Sequence, residues 1–279
     1  MGMIVIIPPK DPRLYQIAVL GLLVSYGIFV LDFGIHWYNA LAIGATALSV
    51  QFVGTRLATL PSFDPRSPMI SALSLILLLR TDDVLLAMAA AAIAISSKFL
   101  VRFNGKHMFN PANVAIVSLM LLSDRVWIST GQWGNAAIGA FALACLGLIV
   151  LTRAKRAKTT ITFLLAYAAL LVGRALWLGD PLQIPLHHLQ NGALLIFAFF
   201  MISDPRTTPN TAAGRIIYAM IVASIAFVIQ FVFYQPNGPI LALIMAAPLV
   251  PLIDFLKRGR NYEWTAPRIN KPTHLCAPR

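Results

Sequence analysis

Apolar runs of near-membrane length recur along the whole chain, separated by short polar turns. In order, they predict spans over 14–33, 37–58, 67–80, 84–101, 109–122, 134–152, 160–178, 188–202, 211–234 and 239–256. About 20 apolar helical residues cross ~30 Å of hydrocarbon, and most of these runs approach that length. Three fall short. Ser67–Arg80 reaches only about 21 Å at ~1.5 Å per residue, and Pro111–Leu122 and His188–Ile202 are similarly short. A helix that stops inside a bilayer is tolerated where its end is buried in protein or faces a polar cavity. Its free N–H groups and its dipole, roughly half a positive charge, then point at whatever fills that cavity.

The runs also pair at long range. ALSLILLLRTD (Ala72–Asp82) and ALLIFAFFMISD (Ala193–Asp204) are both short apolar runs that end at an acidic turn and lead into a longer span. Ten spans then read as two sets of five, roughly 14–122 and 134–256, followed by a basic tail over 257–279. Because five is odd, the sets lie in opposite orientations, with Asp82 and Asp83 outside and Asp204 in the cytoplasm. Inverted repeats of this kind place a site near the midplane between the halves. The expected fold is all-α: one polytopic membrane domain over 1–279, with short half-helices.

Composition supports the class. Hydrophobic residues make up 58% and charged residues 11% of the 279, with a mean hydropathy of +0.77. Soluble domains have about 45–50% apolar and about 25% charged residues. The opening MGMIVIIPPKDPR lacks the order of a signal peptide, so the first span is expected to be retained. Cys145 and Cys276 suggest neither a disulfide framework nor a metal site.

The net charge of +12 reports orientation and does not imply nucleic acid. With the N-terminus inside, all of the 22 Lys+Arg except Arg80, Arg125 and Arg174 fall at cytoplasmic ends and loops. That asymmetry is the positive-inside rule, and it puts both termini in the cytoplasm of a plasma (inner) membrane protein. Anionic lipid headgroups are the expected neighbours of the basic loops.

Two polar clusters interrupt this pattern. In NGKHMFNPANVAIV (104–117), Asn110 suits an N-cap and Pro111 the first helical position, with Asn113 close by on the next turn. Asn237-Gly238-Pro239 opens the last span in the same manner. A plain interfacial cap accounts for Asn110-Pro111, but the carboxamides of Asn104 and Asn113 exceed what one cap needs and favour a polar site. In SDPRTTPNTAAGR (203–215), two prolines exclude a continuous helix. Ser203 or Asp204 can cap a turn at Pro205, and Thr208 or Asn210 the ninth helix. Arg206 and Arg215 either pair with Asp204 or reach the interface. The cluster is a solvated hairpin, or it dips towards the midplane.

Other polar residues carry less. Adjacent His187 and His188 point about 100° apart on a helix, and His36 and His107 lack ligand-spaced companions, so no metal site is expected. Lys257 can offset Asp254. There is no phosphate-binding loop, nucleotide fingerprint or nucleophile elbow, and no catalytic residue is assigned.

Taken together, the clusters resemble the RnfD/NqrB family, the flavin-bearing membrane subunits of ion-pumping Rnf and Nqr electron-transport complexes. The resemblance rests on Gly105-Lys106-His107-Met108-Phe109-Asn110-Pro111-Ala112, on Ala198–Pro205 followed by Gly214-Arg215, and on PLVPLIDFLKR (248–258). It implies ten helices in two inverted repeats, shared with urea transporters, and it implies flavin. Family subunits hold FMN covalently through a threonine in a Ser-x-Ala-Thr motif, and some hold riboflavin noncovalently. The segment SDRVWISTGQWG (123–134) lacks that motif, and Gly44-Ala45-Thr46 lies inside the second span without the serine. Covalent FMN is therefore not expected.

The expected noncovalent contacts come from both clusters: Asn104, Lys106, Asn110, Pro111 and Asn113 from the first, Asp204, Thr207, Thr208 and Arg215 from the second. Asparagine carboxamides and free helix-end N–H groups can satisfy a polar isoalloxazine edge. Asp204 fits better as a cap or arginine partner, because a lone carboxylate within a span costs about 2.5–3.5 kcal/mol. Two functions remain open. One is an electron-transport subunit that binds FMN, riboflavin or quinone and serves redox partner subunits. The other is a permease or channel for a small polar or anionic solute.

Overall fold

The computed structural model describes residues 11–128, 156–259 and 262. The predicted sixth span, Cys145, Cys276 and most of the basic tail lie outside them. The fold is built from helices, with four two-residue strands among the described residues. The first half comprises α1 (Pro12–Phe29), α2 (Trp37–Leu57), α3 (Arg66–Leu78), α4 (Val84–Leu100) and α5 (Pro111–Leu122). The second comprises α6 (Ala157–Leu178), α7 (Gln183–Leu189), α8 (Gly192–Ile196), α9 (Ala212–Phe231), α10 (Gly238–Ala246) and α11 (Leu249–Leu256). Strand β1 (Leu79–Arg80) pairs antiparallel with β4 (Trp127–Ile128), and β2 (Arg102–Phe103) with β3 (Lys106–His107).

Helix starts follow local chemistry. The side chain of Asp11 accepts from Arg13 N at 3.0 Å, and that of Asp83 from Leu85 N at 2.8 Å. Both helices thereby satisfy an otherwise unpaired N–H. Arg80 closes α3 from the other end. Its guanidinium donates to the carbonyls of Ile76, Leu77 and Leu79 at 2.9–3.1 Å. A cation on the unpaired carbonyls of a helix C-terminus explains an arginine at the end of an apolar run.

Four helices are long and apolar enough to cross a membrane, namely α1, α2, α6 and α9. The number rises to six if each of two bent pairs forms one span. Helices α3, α4 and α5 are shorter apolar helices, as the lengths of the third and fifth runs predict. The eighth and tenth runs are not the single straight helices expected. Helices α7 and α8 bend by 51° where Asn191 starts a new helix, its side chain accepting from Ala193 N at 2.8 Å. Phe197–Met201 continues α8 as a π-helical turn. Helices α10 and α11 bend by 52° at Pro248, whose missing N–H and ring interrupt the helical ladder.

The apolar core sits where small residues let helices close. Helix α4 turns Ala87, Ala90, Ala91 and Ala94 inward and packs against α2 and α5. Helix α9 does the same with Ala219, Ala223 and Ala226 against α6 and α10. Small side chains permit the close approach that drives helix association in lipid. Outward, Phe29, Leu57 and Trp177 are more than three-quarters exposed, as lipid-facing residues of a multi-pass membrane protein should be. A Cβ on Gly238 would lie 2.6 Å from the carbonyl oxygen of Ala226. Backbone cannot yield there, so Gly238→Ala should cost about 1–3 kcal/mol by overpacking α9 against α10. Thermal unfolding followed by fluorescence-detected size exclusion would measure it; an unchanged midpoint would refute this tight contact.

Candidate functional site

Helix α4 separates two sets of charges. At its start, Asp83 pairs with Arg125 at 2.9 Å, and Asp82 lies 3.9 Å from His36. At its far end lie Lys98 and the turn at Asp204, so Asp83 and Asp204 occupy opposite ends of this helix. Near Lys98, the N-termini of α1 and α3 are tied by four side chains. Arg13 pairs with Asp11 and Asp64 at 2.8 Å, and Arg66 pairs with the same carboxylates at 2.6 and 2.8 Å. Burial raises both carboxyls, but hydrogen bonds and charge from the arginines outweigh it and hold them below their ordinary 3.8.

Beside this knot lies a cavity of about 240 Å³. Helix α3 lends it Ser67, Ser71 and Ser74; α5 lends Asn110, Pro111 and Ala112 from its first turn. Lys98 closes one wall, its Nζ donating to the carbonyl and the hydroxyl of Ser67 at 3.1 Å each. The opposite wall carries Phe200, Asp204 and Arg206. Asn110 performs two tasks. Its Oδ1 accepts from Asn113 N at 3.2 Å, capping α5, and its Nδ2 donates to the Met201 carbonyl at 3.4 Å. One side chain thus joins the two sequence clusters.

The Asp204 turn is self-supporting. Its Oδ1 accepts from Arg206 N at 2.9 Å, while its carbonyl accepts from Thr208 Oγ1 at 2.9 Å and Thr207 Oγ1 at 3.4 Å. Burial pushes the Asp204 carboxyl up; the Arg206 N–H and the charges of Lys98, Arg206 and Arg156 pull it back. Arg156 donates to the carbonyls of Pro205 and Pro209 and stacks on Tyr262, 4.8 Å from the ring centre.

A second cavity, about 760 Å³, lies between the β2–β3 hairpin and α11. Its inner wall is the ion pair of Lys106 with Asp254 at 2.7 Å. The same ammonium donates to the Thr208 carbonyl at 2.6 Å and to Asn210 Oδ1 at 3.2 Å, and Asp254 accepts from Asn210 N at 2.8 Å. Burial lowers Lys106 below its ordinary value, with Asp254 opposing the shift. His107 lines both cavities, with its Nδ1 buried and without a hydrogen-bond partner among the described residues. Burial pushes it down to about 3, helped by Lys98, Arg206 and Arg102, so it is neutral.

The structure therefore sorts the expected contacts. Asn110, Pro111 and Asp204 line the first cavity; Asn104 and Lys106 line the second. Asn113, Thr207, Thr208 and Arg215 line neither. Thr207 and Thr208 build the turn, and Arg215 donates to the Asn210 carbonyl at 2.8 Å. Asn113 is buried, and neither atom of its amide has a partner among the described residues. Asn104 also has a backbone reason to be asparagine: with Gly105 it makes the hairpin turn at φ of 48° and 77°, which Asn-Gly tolerates.

Three capping and pairing expectations are corrected. Helix α9 is capped by Thr211, whose Oγ1 accepts from Gly214 N at 3.1 Å, because the turn already engages Thr208 and Asn210. Asn237 precedes α10 but makes no side-chain cap bond. Asp254 pairs with Lys106, brought to it by the hairpin, and not with Lys257. Sequence reasoning missed Lys98, His107 and Ser67 as cavity residues. Lys98 ends an apolar run, where a lysine ordinarily reaches for the interface.

A helical multi-pass membrane protein with polar cavities at the ends of short helices is the class these features define. The chain belongs to the NQR2, RnfD, RnfE family, whose family model matches residues 122–263. That range holds the Asp204 turn and the 248–258 run, while the Asn110 cluster lies before it. Relatives named as the RnfD-type subunit of an ion-translocating oxidoreductase complex occur in Psychromonas ingrahamii, Cronobacter sakazakii and Escherichia coli O1:K1. They are 38%, 34% and 29% identical over 78, 134 and 139 residues. These matches cover 28%, 47% and 50% of this chain, but only 22%, 36% and 35% of the relatives.

Proposed function

We propose that this chain is a membrane subunit of an ion-translocating electron-transport complex, and that its first cavity holds one polar end of a noncovalent flavin. The observation that carries the reading is the meeting of Asn110 and Asp204, from separate motifs, around one cavity at the start of α5. A flavin offers alternating N–H and carbonyl groups along its ring edge and hydroxyls along its tail. The neutral His107 Nδ1 can accept from such a donor, and Ser71 and Ser74 line the same space. Bound flavin would supply one- and two-electron chemistry; the protein supplies position and electrostatics. Partner subunits that deliver and receive the electrons follow from the relatives' name.

The ten-span, inverted-repeat arrangement belongs to the same proposal. Its support is the likeness of α2–α4–α5 packing to α6–α9–α10 packing, each around an alanine-lined middle helix. Asp11 and Tyr262 both lie at the Lys98 end, through Arg13 and Arg206, which supports termini on one side. The distribution of Lys and Arg supports that side as the cytoplasm of an inner membrane.

The cavity volume favours a second reading. Ligand pockets usually measure about 300–1,000 Å³, and about 240 Å³ would suit a small anionic solute in a permease. Purification in mild detergent separates the two. The native protein should show flavin absorbance, while a denaturing gel should show no fluorescent band. A fluorescent denatured band would end the noncovalent reading. A colourless protein that transports a small anion would replace the electron-transport reading altogether.

A further inference from the structure

The charges around the first cavity do not balance locally. The knot of Arg13 and Arg66 with Asp11 and Asp64 is neutral and closed on itself. Lys106 and Asp254 form a second neutral pair. Lys98 differs from these. It is 5% exposed, lines the cavity, and makes no ion pair among the described residues; its two hydrogen bonds both go to Ser67. A buried ammonium held only by neutral oxygens is costly unless an anion completes its surroundings. Asp204 is the carboxylate on the facing wall, and Lys98, Arg206 and Arg156 all act on it. One carboxylate facing three cations leaves positive charge to spare. Helix α5 adds its positive dipole end, presented by Pro111 and Ala112.

We propose that this cavity recognises an oxyanion, a phosphate or carboxylate on its ligand, with Lys98 as the group that binds it. The inference rests on reading the cavity as a ligand site, but not on the ligand being a flavin. Lys98 has one more N–H to donate beyond the two given to Ser67, because an ammonium carries three. A phosphate bound there would gain a charge-assisted hydrogen bond in a desolvated wall, stronger than a neutral one. The phosphate can come from a flavin nucleotide or from the free anion, and the two sources separate experimentally.

The test uses the full chain in detergent, titrated with FMN and with riboflavin by flavin fluorescence, and with inorganic phosphate by thermal shift. FMN should bind at least about tenfold tighter than riboflavin, a difference of about 1.4 kcal/mol. Inorganic phosphate should compete with FMN and raise the unfolding midpoint. Lys98→Gln should abolish both the preference and the phosphate effect; Lys98→Arg should keep them. If Lys98→Gln does not fold, phosphate competition on the unaltered protein decides alone. Binding of phosphate without either flavin would uphold the oxyanion site and sink the flavin reading. Equal binding of FMN and riboflavin with no phosphate effect would do the reverse, and a preference that survives Lys98→Gln would overturn the role given to Lys98.

Discussion

Lys106→Met should destabilise the protein by about 3–5 kcal/mol, because it strands Asp254 among buried groups without its cation. The side chains of Lys106 and Asp254 are only 10% and 17% exposed, and their residues stand 148 positions apart. The pair therefore clamps the hairpin before α5 onto α11. Its net worth is a separate matter. Burial lowers the Lys106 ammonium despite the carboxylate beside it, so the folded state binds that proton less well than the unfolded chain. Stability consequently climbs as pH rises from the lowered value towards the ordinary 10.5. Lys106→Met combined with Asp254→Leu should recover most of the loss, since apolar replacement of a buried pair is often neutral or better. Melting curves of both variants in one detergent would check this. A double variant no better than the single one would show that Asn210 and the Thr208 carbonyl, also partners of Lys106, carry the effect instead.

The same pair marks where sequence reading stops. Caps at Asn110-Pro111 and the Asp204 turn are legible because donor and acceptor lie within four residues, so geometry follows from order alone. The shortness of α3 and α5 is legible for a similar reason, as apolar length is additive. Asn191 and Pro248 are visible in the sequence, yet the bends of 51° and 52° depend on what each new helix segment packs against. Partner choice is harder still. Nothing near Asp254 distinguishes Lys257, three residues on, from Lys106. Nor does the run ending in Lys98 reveal that the ammonium turns inward to Ser67. Asn104 illustrates the opposite error: a residue read for its amide is required for its backbone, at φ 48° in a tight hairpin.

Asn110 should tolerate serine only in part, and the two variants should fail differently. Asn110→Ala loses the cap on α5, worth about 0.5–2 kcal/mol, and the bond to the Met201 carbonyl, worth about 0.5–1.5 kcal/mol. Met201 O keeps a donor in Asp204 N at 3.3 Å, so no full desolvation penalty is added. Asn110→Ser restores the cap, because a hydroxyl accepts from the Asn113 N–H as well as an amide does. It cannot also donate across to Met201, which lies on the other half of the fold. Thermal stability should therefore fall by about 1–3.5 kcal/mol for alanine and by about 0.5–1.5 kcal/mol for serine. Ligand affinity should instead fall alike in both, since the bridge that sets the Asp204 turn against α5 is lost in each. If serine matches asparagine in affinity as well as stability, Asn110 is a cap and nothing more, and the cavity owes its shape to Lys98, Ser67 and the turn alone.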